Sequence, residues 1–400
     1  MVLTGGANQG DQAQYNALAD QLIALCIYAI SFVLLSLRWK KVLRLVSQDR
    51  WILPLIGIAL VSVLWSDSPD LTLRRGIALV GTSLFGMYFA TRYTIQQQLR
   101  LLGWMLGVAI ALSFIFVILL PNYGIAGGIH AGAWRGIWSH KNGLAQKMAL
   151  AGNVFLLLGL SVQNKRWLMW VMLGGAVLLE VRAVSSTGLL TMLVPMMIVP
   201  IIQTVRWRSR FMVPASVALI AISGLLALSL FYGSEAVLAF LGEDATLTGR
   251  TDFWPLIIEK IQERPLLGYG YEAFWRGFDG PSADIAYATM GGYIPPHAHN
   301  GLLQLWLHLG FVGVLVFIIG LWITILRAIA LIRKSRSLDM LWPFIYCSIL
   351  IIFNFSEIGI LEYNELDWVL YVAVALSVLQ WSKQSEEQES RMIASTPSTL

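Results

Sequence analysis

Charge is scarce in this chain. Only 13% of its 400 residues are Asp, Glu, Lys or Arg, against about 25% in soluble globular domains. Cysteine is nearly absent: Cys26 and Cys347 both fall in apolar stretches, which excludes a disulfide framework or a thiolate metal cluster and leaves them as small packing residues. Histidine occurs five times. No cleavable leader is evident, because the first apolar run lies behind a polar head, MVLTGGANQGDQAQYNALAD, without Lys or Arg. What the chain has in quantity is apolar sequence, 57% hydrophobic residues with a mean hydropathy of +0.68.

Apolar runs long enough to cross a hydrocarbon core of about 30 Å recur along the sequence. A backbone in lipid must satisfy its own hydrogen bonds, so repeated runs imply a helical bundle. The expected fold class is an all-α polytopic integral membrane protein of about eleven transmembrane helices, at 19–37, 51–65, 76–91, 101–120, 143–162, 167–182, 187–203, 212–231, 301–326, 341–355 and 366–381. The organisation that follows is an N-terminal bundle over 1–231, a large loop over 232–300, C-terminal helices over 301–381 and a polar, disordered tail over 382–400.

The net charge of +5 is explained by topology and not by nucleic acid. Connections such as RWKKVLRLVSQDR, RWRSR and RAIALIRKSR belong to the alternate set that, with the tail, holds 18 of the 28 Lys and Arg. That set is expected on the cytoplasmic side, with the C-terminus. The N-terminus and the large loop then lie on the opposite, outer face.

The outer face collects the unusual residues. WSDSPDLTLRR at 65–75 sets Asp67 and Asp70 against Arg74 and Arg75 around Pro69, in the pattern of a solvated turn. AWRGIWSHKNGLAQKMAL brings Arg135, His140, Lys141 and Asn142 to the mouth of the fifth span, with Gln146 and Lys147 in its first turns. Polar residues at that depth usually face a polar cavity, although Lys147 is long enough to snorkel. Glu180 and Arg182 close the sixth span, either as a structural ion pair or as a cation held for an anionic ligand.

The large loop carries a helical stripe over 252–264, with Phe253, Trp254, Ile257, Ile258 and Ile261 apolar. Thr251 caps it and Pro265 ends it. It is expected to lie flat on the membrane, with Arg250 at its entry and Arg264 at its end. LLGYGYEAFWRGF follows, a turn whose rings suit sugar faces or headgroups. The chain then returns through GGYIPPHAHN, which places His297, His299 and Asn300 before the ninth span. The dipole of that helix favours a neutral imidazole, the form that accepts a proton from a hydroxyl. His-x-His also suggests zinc, but no carboxylate or thiolate set is evident on the same face, so no metal is expected. His308 reads as a packed core histidine.

WSDSPDLTLRR, RGIWSHKNGLA, TGRTDFW…ERPLLGYGYEAFW and HAHNGLLQLWLHLGFVG, in this order and on one side, resemble the motifs of the O-antigen ligase and Wzy-type polymerase superfamily, closest to its exopolysaccharide polymerase-like members. The resemblance implies a GT-C-like glycosyltransferase of the bacterial inner membrane, using an undecaprenyl-pyrophosphate-linked oligosaccharide without cofactor or metal. The outer face becomes periplasmic. The family's pyrophosphate-binding Arg matches Arg250 and its essential His matches His299, while His140, Lys141 and Asn142 match its HKN motif. Relatives carry a basic residue where this chain has Ser186, and Arg182, four residues earlier, is the candidate substitute.

The function expected is transfer of a lipid-linked glycan to a sugar hydroxyl of another lipid-linked repeat unit. His299 would act as base, with Arg250, Arg182, Arg135, Arg264, His140, Lys141, Asn142, His297 and Asn300 binding substrate. Implied partners are the acceptor glycan, the bilayer, a flippase and a chain-length regulator. Transfer to lipid A core is the alternative within the superfamily, and a lipid or glycan transporter is the alternative of another class. The absence of evident half-to-half similarity and the clustering of polar residues at one face argue against a transporter.

Overall fold

The computed structural model describes residues 9–205, 250–288 and 295–395, with side chains over 22–128, 130–202, 254–288 and 295–387. The expected span 212–231 and the side chain of Arg250 lie outside the described residues. The helices are α1 (Gln9–Ser36), α2 (Trp39–Val46), α3 (Ile52–Val61), α4 (Pro69–Arg92), α5 (Ile95–Leu119), the single turn α6 (Pro121–Gly124), α7 (Lys141–Ser161), α8 (Arg166–Ala183), α9 (Ser186–Val205), α10 (Arg250–Glu263), α11 (Ala283–Ala288), α12 (Gly301–Lys334), α13 (Trp342–Phe353) and α14 (Leu366–Ser395). Among the described residues β-pairing is limited to one bridge, Ile125 with Trp134.

Local chemistry sets where these helices start. Asp49 Oδ2 accepts from the amides of Ile52 and Leu53 at 2.7 and 3.2 Å, ahead of α3. Thr94 and Gln97 form a reciprocal capping box on α5. His140 caps α7 and Asn300 caps α12. Outside 212–231, a helix occupies each region where a span is expected. Three of them, α5, α7 and α12, are long and apolar enough to cross a membrane alone, and the bent pair Leu22–Ser36 and Trp39–Val46 adds up to one more. Ile52–Leu64, Ser186–Ile202 and Leu338–Phe353 are apolar but shorter.

α7 is the centre of the bundle. It packs against α5, α8, α9 and α13, and 72% of its apolar window is buried, against 33% for α5. Around it, α4 packs on α1, α3 and α14, and α12 on α3, α10, α13 and α14. Where the sequence suggests a disordered tail, α14 continues as a helix to Ser395. Lys383–Glu386 and Ser382–Glu386 pair along its surface, and Lys334 of α12 donates to Ser385.

α12 is broken at Gly310, whose φ of 64° lies in the left-handed region. The break has a physical cause. The turn 265–270 inserts into the helix's hydrogen-bond ladder: Phe311 N–H donates to Pro265 O at 2.8 Å, Tyr269 N–H to Leu307 O at 2.8 Å and Gly270 N–H to His308 O at 3.0 Å. A Cβ on Gly310 would lie 2.2 Å from the Leu266 carbonyl carbon. The ninth expected span therefore divides. Residues 301–309 form a separate segment, and 311–334 alone are long enough, at about 1.5 Å per residue, to cross a bilayer core.

Candidate functional site

The large loop is docked onto protein, which corrects the expectation of a helix lying flat on lipid. Ile257 and Ile261 of α10 are buried with Tyr269, Phe274, Ile285, Ala298 and Leu307, and Ile258 alone of the stripe's described residues is well exposed. The rings of LLGYGYEAFW are likewise consumed by packing, with Tyr271 and Phe274 fully buried. Trp275 alone of these rings is half-buried, and its Nε1 donates to Gln304 Oε1 at 2.8 Å.

The platform under the loop is WSDSPDLTLRR. Trp65 Nε1 donates to Leu267 O at 3.0 Å, Thr72 Oγ1 to Tyr271 O at 2.8 Å, and Arg75 Nη1 to both Glu272 O and Glu272 Oε2 at 2.9 Å. Arg264 forms an ion pair with Asp67 and lies over the Tyr269 ring. Arg75 and Arg264 thus fasten the loop, where the sequence read a solvated turn.

Three segments meet at His299: its own turn before α12, the start of α7 and the 354–365 connection. Asn300 Oδ1 accepts from the amides of Leu302 and Leu303 at 3.0 Å each, and its Nδ2 donates to Phe355 O at 3.2 Å. Gly301 N–H donates to Asn354 O at 2.9 Å, an approach so close that a Cβ there would lie 2.0 Å from Asn354 Oδ1. The turn before α12 is therefore bound to the 354–365 connection. Within that turn His299 has a φ of 48°, a left-handed conformation costly for a non-glycine residue. Its N–H donates to His297 Nδ1 at 3.2 Å, and the two imidazoles lie 4.0 Å apart.

His299 Nδ1 is 3.4 Å from Glu357 Oε2, and both side chains are largely buried. Glu357 Oε1 accepts from Asn142 Nδ2 at 2.8 Å. This joins the HKN segment to the HAH segment through a residue that the sequence reading did not single out. His297, His299 and Glu357 hold their ligating atoms within 4.8 Å of one another. The expectation that no carboxylate shares that face is overturned: Glu357 arrives from 58 residues downstream, a separation that local spacing cannot reveal.

The HKN residues divide their work. His140 Nδ1 accepts from Asn142 N at 3.2 Å as the cap of α7, and Lys141 Nζ donates to Val184 O at 2.7 Å. Burial, followed by His130 whose ring lies 5.2 Å away, holds the His140 pKa below its ordinary value. Arg135 spends its donors on its own loop, to Tyr123 O at 2.8 Å, Asn122 O at 3.2 Å and Ser139 O at 3.4 Å.

Arg182 stacks on Trp134, its guanidinium carbon 4.9 Å from the ring. The Glu180–Arg182 ion pair does not form. Glu180 is buried against Gly188, and neither of its oxygens has a hydrogen-bond partner among the described residues. α9 reaches the site through Thr187, whose hydroxyl accepts from Ser356 at 2.7 Å.

Arg250 begins α10, and Trp254, one turn on, donates from Nε1 to Ala298 O at 2.9 Å. The backbone of Arg250 is thereby tied to the His299 turn. His308 is buried, with Nε2 3.3 Å from Gln304 Nε2 and Nδ1 3.9 Å from Glu272 Oε1, which suits a packed core histidine.

Beyond Glu357, the sequence reading also missed Glu272, Glu362 and Asp367, which form buried polar contacts nearby. For Glu362 and Asp367 the signal was present in the segment SEIGILEYNELD, which is rich in acids and has no base, whereas Glu272 lies apart from it in LLGYGYEAFW.

The described residues are helical, with three helices long and apolar enough to cross a membrane and a polar cluster of His and Glu side chains at helix ends, which is consistent with a multi-pass membrane protein. The O-antigen ligase family matches it over residues 167–318, a stretch containing Arg182, Arg250, Arg264, His297, His299 and Asn300. The chain is 26% identical over 369 residues to the exopolysaccharide production protein ExoQ of Rhizobium meliloti (strain 1021), covering 89% of this chain and 83% of that protein. It is 27% identical over 184 residues to the protein titled "Putative polysaccharide ligase RC0486" of Rickettsia conorii, 43% of either chain. These matches show that the chain is similar to the O-antigen ligase family over residues 167–318 and to an exopolysaccharide-related protein over most of its length.

Proposed function

We propose that this protein is a polysaccharide polymerase, transferring a glycan from undecaprenyl pyrophosphate to a sugar hydroxyl of another lipid-linked repeat unit at the periplasmic face of the inner membrane. The observation that carries it is His299, held with Glu357 and Asn142 where the outer segments converge. His299 Nε2 takes the proton of the acceptor hydroxyl, the hydroxyl oxygen bonds to the anomeric carbon, and the carbon–oxygen bond to pyrophosphate breaks with its electron pair leaving on the phosphate. One displacement inverts the anomeric centre. Arg250 binds the pyrophosphate, where charge-assisted contacts to a developing oxyanion supply several kcal/mol of barrier reduction. Pyrophosphate leaves without a protonating acid, unlike a sugar alkoxide.

Arg182, through its position at the outer end of α8, is the second cation of the site, in place of the base absent at Ser186. Arg135, Lys141, His140, His297 and Asn300 shape the site, and Arg264 holds the loop over it. The N-terminus is periplasmic and the C-terminus cytoplasmic, and a flippase and a chain-length regulator supply and limit the substrate. Similarity to an exopolysaccharide production protein over most of both chains favours polymerase. The ligase reading, transfer to lipid A core, is favoured by the family match and the rickettsial relative.

The assay presents purified protein with lipid-pyrophosphate-linked repeat units, with and without lipid A core, in EDTA. A ladder without core identifies a polymerase, and product only with core identifies a ligase. Loss of all transfer in EDTA, restored by a divalent ion, refutes the metal-independent route. Movement of lipid across a vesicle membrane without transfer refutes the enzyme.

A further inference from the structure

We infer that Glu357, locked by Asn142, is the positioning residue that sets the tautomer and orientation of His299; this deepens the proposed transfer and rests on His299 being its base. The carboxylate is nearly buried and each of its oxygens has a separate task. Oε2 faces His299 Nδ1 at 3.4 Å, and Oε1 accepts from Asn142 Nδ2 at 2.8 Å. A small rotation of the ring closes the first contact into a hydrogen bond, a tightening common when substrate binds.

With Nδ1–H given to Glu357, the lone pair of Nε2 is left for the acceptor hydroxyl. Imidazolium formed during transfer is then stabilised by the adjacent carboxylate, as in other His–carboxylate pairs.

The backbone around the pair is braced on both sides. Glu357 N–H donates to Phe353 O at 3.0 Å, Asn300 Nδ2 to Phe355 O, and Ser356 Oγ to Thr187 Oγ1. Asn142 stands in the first turn of α7, the most buried of the membrane-length helices. The Asn of the HKN segment thereby acquires a role: it fixes a carboxylate and does not need to touch sugar. Charged and titratable groups around the pair include, among the described residues, His297 from the same turn, His140 and Lys141 at the start of α7, and His130 beside His140.

The test compares Glu357→Gln, Glu357→Asp, Asn142→Ala and His299→Ala in the full-length protein, assayed for glycan transfer from the lipid-linked donor. Glu357→Gln is expected to lower kcat by about 10–100-fold, the usual effect of losing an orienting partner, with KM changed less than about threefold. The acid limb of its kcat/KM profile moves to lower pH, because a neutral amide no longer favours imidazolium. Glu357→Asp restores the acid limb but only part of kcat. Asn142→Ala, which keeps the carboxylate, lowers kcat in the same direction and guards against a misfolded Glu357 variant.

Wild-type kcat and acid limb in Glu357→Gln, with His299→Ala inactive, would overturn the inference while leaving the proposed function intact. Activity in His299→Ala would remove both. One tightly bound metal per chain, lost on Glu357→Ala, would also overturn it, making the three side chains ligands.

Discussion

Lys147 Nζ lies 2.9 Å from Asp367 Oδ2, in an ion pair buried between α7 and the start of α14. The same oxygen accepts from Gln146 Nε2 at 2.7 Å, while Glu365 stands 3.9 Å from the ammonium. Sequence alone left Lys147 free to snorkel. Instead it clamps α7 to the start of α14, directly after the connection that bears Glu357.

Removing one member leaves a buried charge without its partner, which costs about 3–5 kcal/mol. Lys147→Met is therefore expected to lower the melting temperature in detergent sharply. The double variant Lys147→Met with Asp367→Asn recovers much of the loss, because both charges are gone. A double variant as unstable as the single one would show that Asp367 has other partners that matter more.

Gly310→Ala is expected to be among the most damaging single-methyl changes in the protein. The residue has a left-handed φ of 64° and the Leu266 backbone lies 2.2 Å from a Cβ position. The methyl would push the 265–270 turn out of the α12 ladder and release the loop that carries α10. Protease sensitivity of the 250–288 region is the readout, with rapid cleavage in the variant and resistance in the parent.

Glu362 is buried beside Glu272, and burial first, then that neighbouring carboxylate, pushes its pKa well above the ordinary value. The protonated form is the one the fold favours. Its contribution is complete below the ordinary carboxyl range and is lost as pH rises through the raised value. Melting temperature is expected to fall as pH climbs from the acid side through and beyond neutrality, and Glu362→Gln, which cannot ionise, flattens that part of the curve. An unchanged slope in Glu362→Gln would assign the pH dependence to another group.

His140 behaves with the opposite sense. Its pKa is held down by burial and by His130, and its Nδ1 must be unprotonated to accept from Asn142 N–H. Its contribution is present above the ordinary histidine value near 6.5 and is lost as pH falls through the lowered one. His140→Ala removes the cap at about 1 kcal/mol, whereas His140→Asn, which keeps an acceptor, retains most of it. Thermal melts at pH 7.5 and 5.5 distinguish the two.

The helices were legible because hydropathy alone writes them: runs such as 101–120 have no alternative in a membrane. The break at Gly310 was not, since the sequence there reads as unbroken apolar helix, and its cause lies 40 residues away in the inserted turn at 265–270. His297, His299 and Asn142 stood out as polar residues at helix mouths. Glu357 did not, because its meaning comes only from two long-range contacts. The Arg75–Glu272 pair was hidden for the same reason, its members being 197 residues apart. The aromatics in LLGYGYEAFW gave only a weak signal, because ring-rich turns look alike whether they face a ligand or a core.

In the proposed reaction His299 performs the proton transfer that forms the new glycosidic bond. Its most direct measurement is single-turnover transfer from a lipid-pyrophosphate-linked glycan to an acceptor hydroxyl, by the parent protein and by His299→Ala, with donor binding measured in parallel. The variant is expected to bind donor within about threefold of the parent while transferring at least a hundredfold more slowly, the scale of a lost general base. Transfer at the parental rate by His299→Ala would contradict the assignment.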